Sequence, residues 1–459
     1  MMNYRKETTD VLVIGGGIAG IRSALACCMQ GLKVRILSKG PKCTHDISGF
    51  NAPVGSNDSP ELFEADINKN GRGINDPKIA YALAYGAGKE VGFLEELGVE
   101  FDKKDGRYDL LQPLACSVPR LVHTGTLTGD SEERAILAKL SEYGAFVETG
   151  VKALELVKIN DSVCGAVCIK DGELTVYAAK AVVMASGGCS GLYELTTYNK
   201  ALRGDGIAMA YRAGAEICDL DLFDKEPCCL VRPEKLKGTG ISSTMLFEGG
   251  KLFNSKGESV IDKYFKDVSE INKRTLSAAM LKEIELGNGI DGALAYDFSM
   301  LGREEIERHE QLLPLLEKNG LDPCSGPIYV APAMHTTLGG IKTDAGCQSS
   351  VKGLFACGEA MGGVHGASRI GGDAGTEVLV FGGISGESAS AFAKETKLDP
   401  DAVFSAAEKL VGDLSAEDYE KYISELSEKQ LWSIIEKTAS ARKNTEGKSI
   451  CISTASDLK

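Results

Sequence analysis

The chain has 459 residues, of which 43% are hydrophobic, and a formal net charge of −14. A chain of this length can bury a large core and is expected to form two or three lobes. The acidic balance argues against a nucleic-acid partner, because phosphate contacts need clustered Lys and Arg. No run of about 20 apolar residues occurs, so no direct membrane span is predicted.

The N-terminus and the cysteines indicate a cytoplasmic protein. The first residues, Met1–Thr9, are polar and charged, unlike a secretory signal. The 14 cysteines include the adjacent pairs Cys27-Cys28 and Cys228-Cys229, a pattern of small buried hydrophobic residues in a reducing compartment, as in an anaerobe. No Cys-x-x-Cys pair occurs, so electrons are expected from an external donor, an iron–sulfur or flavin reductase protein, rather than from an internal cluster.

The N-terminal pattern is strand, glycine loop, helix and strand. The strand Asp10–Ile14 precedes the loop, and a helical stretch from Ile21 to Gly31 leads to a second strand, Lys33–Leu37. In this order the loop places a pyrophosphate at the helix N-terminus, and the predicted contacts are Gly15, Gly17, Ile18, Ala19 and Gly20. Ser38 and Lys39 stand where an acidic residue usually binds the ribose. Ser38 can still hydrogen-bond a ribose hydroxyl, but the carboxylate that selects NAD is absent.

The first predicted lobe continues to residue 215. A loop-rich segment, 43–60, is expected to lay backbone against a ligand at Ser48 and Gly49, and His123 either lines the pocket or is an ordinary loop histidine. The further elements predicted are helices at Pro77–Leu97, Ser131–Gly144 and Gly204–Gly214, and strands at Ala153–Lys158, Val163–Ile169, Leu174–Tyr177 and Ala181–Ala185, with a hairpin turn at Asp171-Gly172. The last strand ends in a second glycine turn, with candidate contacts at Ala185, Ser186 and Gly187, and Asp205 opens the third helix.

Residues 216–334 do not show the alternation of predicted strands and helices seen before them. This stretch is rich in charge and helix formers and is predicted to be an inserted lid that excludes water. The first lobe resumes at Gly353–Glu359, where a strand ends and presents Glu359 to a ligand. A glycine-broken helix, Thr376–Phe392, and a solvated helical tail, Pro400–Lys459, are predicted to follow.

The segment from Glu359 to Gly375 is dense in glycine and carries His365 and Arg369, and His335 precedes it beside a glycine pair. This composition is typical of backbone pressed against a large planar ligand, with basic side chains aimed over it. Arg offers a rigid fork for a carboxylate. The candidate contacts here are Gly372, Ala374 and Gly375, together with His335 and Arg369. The alternative is an ordinary glycine-rich turn with Arg369 in a surface ion pair.

Taken in order, the motifs resemble the flavoprotein subunits of fumarate reductase and succinate dehydrogenase, together with L-aspartate oxidase. The motifs are Gly15–Gly20, Ala185–Gly188, Gly204–Gly206, His335–Gly340 and His365–Gly372. The resemblance covers nearly the whole chain and implies FAD bound in an α/β, doubly wound Rossmann-like lobe with an inserted α+β capping domain. The implied boundaries are 1–215 and 335–395 for the FAD-binding domain, 216–334 for the capping domain and 396–459 for a helical tail. His45 lies near the position where some relatives attach FAD covalently, but its spacing is displaced, which favours noncovalent binding.

The resemblance also implies an active site between the two lobes, with Glu359 binding the ribityl chain. His335 and Arg369 would bind a substrate carboxylate and stabilise the charge that develops on it. Arg274 would donate a proton from the side opposite the flavin and be reloaded through Glu248. Because Arg is a poor acid, this transfer needs a closed lid and a carboxylate partner. The alternative for Glu248 and Arg274 is a structural ion pair.

Two positions depart from the fumarate reductases. Glu226 occupies the position of a carboxylate-binding His, and Phe247 that of a Thr. A second carboxylate would be repelled by Glu226, and Phe247 cannot donate a hydrogen bond to it. The substrate is therefore predicted to have one carboxylate and a distal group that is aromatic, apolar or cationic, as in cinnamate or urocanate. The alternative is a shifted alignment, in which other residues such as His123 or Lys225 bind the second carboxylate.

The sequence therefore predicts an FAD-dependent enoate reductase, which reduces the C=C bond of a small α,β-unsaturated carboxylate with a hydride from the flavin. Fumarate reduction, succinate dehydrogenation and L-aspartate oxidation are the alternatives on the same scaffold. A non-catalytic electron-transfer protein is an alternative of another class. The presence of Glu248, Arg274, His335 and Arg369 argues against it.

Overall fold

The computed structural model describes residues 4–40, 42–44, 47–113, 115–125, 128–241, 243–267, 271–309 and 313–446. The chain divides into two compact units. The first unit comprises Met1–Leu192, Ala201–Leu222 and Thr337–Lys459, and the second comprises Tyr193–Lys200 and Phe223–Thr336. The second unit thus also takes in a segment, Tyr193–Lys200, from the range predicted for the first lobe. Residues 447–459 of the predicted helical tail lie outside the described residues.

The strands of the described residues are, in chain order, β1 (Arg5–Ile14), β2 (Val34–Ser38), β3 (Phe50–Asn51), β4 (Lys103–Lys104), β5 (Arg107–Tyr108), β6 (Leu121–Val122), β7 (Val147–Thr149), β8 (Lys152–Ile159), β9 (Ser162–Lys170), β10 (Glu173–Met184), β11 (Ile217–Cys218), β12 (Phe223–Leu230), β13 (Lys251–Phe253), β14 (Leu294–Asp297), β15 (Ile328–Thr337), β16 (Gly340–Lys342), β17 (Leu354–Ala356) and β18 (Met361–Gly362). The α-helices are α1 (Ile18–Met29), α2 (Pro60–Gly71), α3 (Pro77–Glu96), α4 (Thr128–Glu142), α5 (Asp205–Arg212), α6 (Val260–Tyr264), α7 (Lys273–Glu283), α8 (Arg303–His309), α9 (Leu313–Lys318), α10 (Asp373–Glu395), α11 (Pro400–Val411) and α12 (Ala416–Glu446).

The main sheet of the first unit is built around β1, which lies between β2 and β10 and is parallel to both. Within the described residues the strand order is β7-β2-β1-β10-β9-β8, and β17 also pairs with β10 in parallel. Parallel strands buried on both faces are continuous apolar runs, as Val11–Ile14 and Ala181–Met184 are. Helices α1 and α10 pack together, and α10 contacts β10. The α/β, doubly wound Rossmann-like fold is therefore confirmed, and solved relatives have the same fold.

The other side of this sheet is antiparallel. Asp171 and Gly172 connect β9 to β10 with φ values of 51° and 77°, which are the left-handed values of the predicted hairpin turn. The strands predicted separately at Leu174–Tyr177 and Ala181–Ala185 form one strand, β10. They are continuous because β10 pairs with β1 from Thr175 to Met184 while its first half also pairs with β9.

Two helices differ from the prediction in their extent. Helix α1 begins at Ile18 rather than Ile21, because Gly17 is its N-cap. Helix α10 runs unbroken from Asp373 to Glu395. Its Gly386 does not break the helix but allows close packing, since a Cβ there would overlap the carbonyl oxygen of Ser23 on α1.

The second unit has its own sheet and core. Its described strands have the order β12-β15-β14-β13, and β14 is antiparallel to both of its neighbours. The buried cluster of this unit includes Met245, Leu252, Met280, Tyr296 and Val330. The sequence predicted no individual strands here, because the strands are short and the range is rich in charged helix formers.

Within the described ranges, no helix combines the length and the apolar character that crossing a bilayer requires. The cysteines of the same ranges are free thiols, and most of them are buried. The adjacent pair Cys27-Cys28 is buried in α1, as the sequence predicted.

Candidate functional site

The glycine loop after β1 forms the first half of a nucleotide site. Gly15 has φ of +129°, and a Cβ there would overlap the carbonyl oxygen of Ala185, while a Cβ on Gly20 would overlap that of Gly15. Only glycine therefore fits these two positions. Among the described atoms, the nearest to a Cβ on Gly17 is Thr44 Oγ1, at 3.9 Å. The loop thus leaves room beside the N-terminus of α1, where backbone N–H groups can bind a phosphate.

The carboxyl ends of three parallel strands meet beside this loop. Gly15 N donates to Leu37 O, and Ala185 N donates to Ile14 O, both at 2.8 Å. Ligands of open α/β sheets bind in the crevice at such strand ends. The predicted contacts Ser38 and Ala185 therefore lie at the ends of the two strands that flank β1.

Lys39 and Asp205, two predicted cofactor contacts, bind each other. Lys39 Nζ lies 2.5 Å from Asp205 Oδ2 and donates to Ala201 O. Asp205 is the first residue of α5, so the pair ties the end of β2 to the start of that helix. The sequence predicted both residues as cofactor contacts but did not predict that they pair with each other.

Ser186 and Glu359 supply polar groups on the other side of the loop. Ser186 Oγ is buried and has no hydrogen-bond partner among the described residues. Glu359 Oε1 accepts a 2.8 Å hydrogen bond from Thr337 N, and its carboxylate also accepts one from the Gly188 backbone. Burial raises the pKa of Glu359 to about 7. A buried hydroxyl with no partner and a carboxyl held by backbone donors suit a ligand that carries several hydroxyl groups.

The predicted contacts near Ser48 and those near Gly372 lie together in the first unit. A Cβ on Gly375 would press on Gly49 O at 2.9 Å, and Ser48 O accepts from Thr128 Oγ1 at 2.7 Å. Asn51 Nδ2 donates to Gly371 O and to Asp373 Oδ1, each at 2.6 Å. The sequence did not predict Asn51 or Asp373 as site residues, although Asp373 stands between the predicted contacts Gly372 and Ala374.

Three basic residues of the first unit have different surroundings. His365 Nε2 lies 2.9 Å from Glu377 Oε2, and both side chains are buried. The expectation that His365 points over a ligand is therefore wrong, because the ring is held inside the unit. Arg369 is half-buried, and its Nη1 donates to Ile370 O at 3.3 Å. His123 is buried with Nδ1 2.9 Å from Asp102 Oδ2, so its role as a substrate ligand stays a prediction.

The second unit carries the predicted proton donor on a helix start. Arg274 is the second residue of α7, whose first turn is capped by Asn272 in a capping box. Lys273 Nζ lies 2.5 Å from Glu226 Oε2 on β12. Glu226 therefore does not face the site as an isolated negative charge. The sequence did not predict this pair, although Lys273 adjoins Arg274.

His335 and Phe247 also lie in the second unit. His335 Nδ1 is 2.8 Å from Thr197 Oγ1, and its ring centroid is 5.0 Å from that of Tyr198. These contacts fix the orientation of the imidazole. Phe247 is 42% exposed and Glu248 is exposed beside it, at the end of a 3₁₀ turn.

A dinucleotide with a ribityl chain fits these residues. The open N-terminus of α1 suits a pyrophosphate, and the Ser186 hydroxyl and the Glu359 carboxyl suit hydroxyl groups. A second glycine turn at Gly372 opens α10. His45, near the expected point of covalent attachment, lies outside the described residues, so noncovalent binding stays a prediction.

The class of protein follows from the comparisons. The family model described as FAD binding domain matches residues 10–374, and the chain belongs to that family. The chain is 35% identical over 395 residues to an uncharacterised FAD-dependent oxidoreductase of Methanocaldococcus jannaschii, covering 84% of this chain and 72% of that protein. It is 33% identical over 395 residues to a fumarate reductase (CoM/CoB) subunit of Methanothermobacter marburgensis, covering 83% and 72%.

Two further similarities agree with this assignment. The chain is 32% identical over 381 residues to an L-aspartate oxidase of Mesorhizobium japonicum, covering 80% of this chain and 72% of that protein. A solved structure of a mutant of FrdA, from E. coli quinol fumarate reductase, has the same fold with a TM-score of 0.80 at 23% identity, covering 99% of this chain and 86% of that chain. The protein is an FAD-dependent oxidoreductase of the fumarate reductase and L-aspartate oxidase family, as the motifs predicted.

Proposed function

We propose that the protein reduces the C=C bond of a small α,β-unsaturated carboxylate whose distal group is aromatic, apolar or cationic. The observation that carries this proposal is the Lys273–Glu226 ion pair, one residue before Arg274 on α7. Because Glu226 is paired with Lys273, the two together offer no net positive charge to a second carboxylate. A substrate with a single carboxylate needs no such charge.

The basic residues have two roles in the proposed reaction, binding of the carboxylate and donation of the proton. Arg369 binds the carboxylate with its planar fork, and His335, oriented by Thr197, adds a further donor. Both stabilise the negative charge that develops on the carboxylate as the double bond is reduced. The bound FAD supplies the hydride. Arg274 donates the proton to the carbon next to the carboxylate, and the exposed Glu248 reloads it from solvent.

Phe247 supports the choice of distal group. A large aromatic side chain that is 42% exposed offers an apolar surface and no hydrogen-bond donor. An aromatic ring can stack on it, and a cationic group can lie over its face. Cinnamate and urocanate are acids that combine one carboxylate with an aromatic distal group.

Fumarate reduction is the second candidate. The 33% identity to the fumarate reductase protein of Methanothermobacter marburgensis favours it, and so does the position of Lys273. Its side chain is 32% exposed, and it could bind a second carboxylate by exchanging its contact with Glu226. The oxidative reactions, succinate dehydrogenation and L-aspartate oxidation, belong to the same candidate. In both reductive reactions the electrons come from a separate donor protein, whereas in the oxidative reactions the substrate supplies them and an external acceptor takes them.

An anaerobic assay with a reduced viologen as electron donor separates the candidates. We expect faster dye oxidation with cinnamate or urocanate than with fumarate. Turnover of fumarate alone would show that the single-carboxylate assignment is wrong. Bleaching of the flavin by succinate or L-aspartate, without added reductant, would show that the protein catalyses the oxidative half-reaction and would favour the oxidative candidate.

A matched pair of variants tests the proton donor. Arg274→Gln should abolish turnover and leave the flavin absorption unchanged. Arg303→Gln makes the same change at an exposed arginine of the second unit, paired with Glu307 and Glu317, and should leave turnover unchanged. Full turnover by the Arg274 variant would show that Arg274 is not the proton donor, and a wild type that turns over none of these acids would favour the electron-transfer role.

A further inference from the structure

Asp373 is a buried carboxyl group among the residues assigned to the cofactor. It is 1% exposed and is the first residue of α10, directly after Gly372 and before Ala374. Its Oδ1 accepts a 2.6 Å hydrogen bond from Asn51 Nδ2, which also donates to Gly371 O. The carboxyl is therefore held at the N-terminus of α10 by Asn51 of β3, the strand that follows Ser48 and Gly49.

The charged groups around Asp373 come from three parts of the first unit. His365 and Arg369 lie in the glycine-rich loop, and Arg120 and Cys116 lie in the segment before β6. Arg120 is fully buried and is already paired with Asp58 and Asp66. On α10 itself, Glu377 is one turn further on and is paired with His365. Two of the three basic groups near Asp373, Arg120 and His365, are thus shared with other carboxylates.

We propose that ionised Asp373 lowers the reduction potential of the bound FAD and thereby adds to the pH dependence that the flavin itself has. The proposal rests on the cofactor arrangement given above, in which Gly372, Ala374 and Gly375 contact the flavin. The N-terminus of α10 favours negative charge, and an ionised Asp373 already occupies it. A negative charge there opposes the charge that reduction brings to the cofactor, so ionised Asp373 lowers the potential and protonated Asp373 does not.

The direction of the pH dependence follows from the burial of the group. Burial raises the pKa of Asp373 to about 6, so the carboxyl changes its charge close to neutral pH. Reduction of the cofactor raises this pKa further, because added negative charge nearby favours the protonated form. Between the two pKa values, Asp373 takes up one proton from solvent when two electrons from the external donor enter the cofactor. At a pH below both pKa values Asp373 is protonated with either form of the cofactor, so it does not change the reduction potential.

The test compares the potentials of the FAD-bound wild type and the Asp373→Asn variant from acid to alkaline pH, by equilibration with redox dyes. Asparagine keeps an acceptor for Asn51 and removes the charge. We expect the two potentials to agree at low pH. At high pH that of the variant should be higher by at least a tenfold change in the two-electron equilibrium constant, about 30 mV. Potentials that differ by the same amount at every pH, or not at all, would overturn the proposal.

Asn51→Ala is the second variant, because it keeps the carboxyl and removes its donor. The hydrogen bond from Asn51 lowers the pKa of Asp373, so its loss should move the pH dependence to higher pH. An unmoved curve contradicts the proposal even if the Asp373 variant fails to fold. The measurement uses no substrate, so a wrong substrate assignment does not affect it. A protein that cannot be loaded with flavin would contradict the cofactor arrangement itself.

Discussion

Glu132 is a buried carboxyl group whose replacement should stabilise the protein. It lies on α4, which packs against α1 and α3, and it is 0% exposed. Neither of its oxygens has a hydrogen-bond partner among the described residues. Burial, with a smaller contribution from Glu90, raises the pKa of Glu132 well above its usual value of 4.5. Burial therefore favours the neutral form of this carboxyl in the folded protein.

Two effects should make the free energy of unfolding larger for Glu132→Met than for the wild type. Removing an unsatisfied buried polar group should raise the free energy of unfolding by about 1–3 kcal/mol at low pH. Met and Glu have similar helix propensities, so the helix itself should be little affected. The second part is linkage, because the wild type is less stable wherever the unfolded chain ionises Glu132 and the folded chain does not. Each pH unit between the unfolded and folded pKa values costs about 1.4 kcal/mol. The advantage of the variant should therefore grow as the pH rises above the unfolded pKa of Glu132 and level off above its folded pKa.

Urea unfolding of both proteins, followed by circular dichroism at several pH values, measures the two parts. Glu142→Met makes the same change at an exposed position of the same helix, where Glu142 is paired with Lys139. This control should change stability by less than about 0.5 kcal/mol. If the Glu132 variant is less stable than the wild type, or if its advantage is the same at every pH, Glu132 is ionised and has a partner in solution.

Three further changes test the site residues. Gly20→Ala should shift α1 away from β1, because its Cβ would overlap the Gly15 carbonyl, and should weaken FAD binding by roughly tenfold or more in a flavin titration. Gly88→Ala on α3, where a Cβ would meet no described atom within 4 Å, is its control and should bind FAD normally. Burial raises the pKa of Glu359 to about 7, so the FAD-free wild type should lose stability as the pH rises from about 4.5 to about 7. Glu359→Gln should remove this loss. Urea unfolding at both ends of the pH range measures the free energy of unfolding of the two proteins. Thr197→Val removes the hydrogen bond to His335 Nδ1 and should lower kcat by about tenfold with FAD binding unchanged; an unaltered kcat would show that Thr197 does not orient the imidazole.

Local chemistry determines which parts of the molecule the sequence predicts. The turn at Gly15 and Gly20 could be read directly, because the steric need for glycine arises among neighbouring elements of one strand–helix unit. The hairpin at Asp171-Gly172 was predictable for the same reason. The continuity of β10 was not, since it depends on pairing with β1, more than 160 positions earlier in the chain.

The site pairings were beyond prediction because each one joins distant parts of the chain. Asn51 and Asp373 are 322 positions apart, and Lys39 and Asp205 are 166 positions apart. Nothing in the local sequence of either partner indicates the other. His365 shows the opposite error: its glycine-rich surroundings suggested a ligand contact, but the buried partner Glu377 lies 12 positions away on α10.

The Lys273–Glu226 pair shows why a single substituted residue is a poor guide to specificity. Glu226 alone predicts repulsion of a second carboxylate, whereas the pair is neutral and repels little. In the proposed site, a dicarboxylate would have to displace Glu226 from Lys273, and a carboxylate left without its partner at 16% exposure would be poorly solvated. A distal group without charge leaves the pair intact, and a cationic group can approach Glu226 without breaking it. In the proposed function, selection against dicarboxylates would therefore follow from the cost of opening an ion pair rather than from direct repulsion, and it would depend on Lys273 as much as on Glu226.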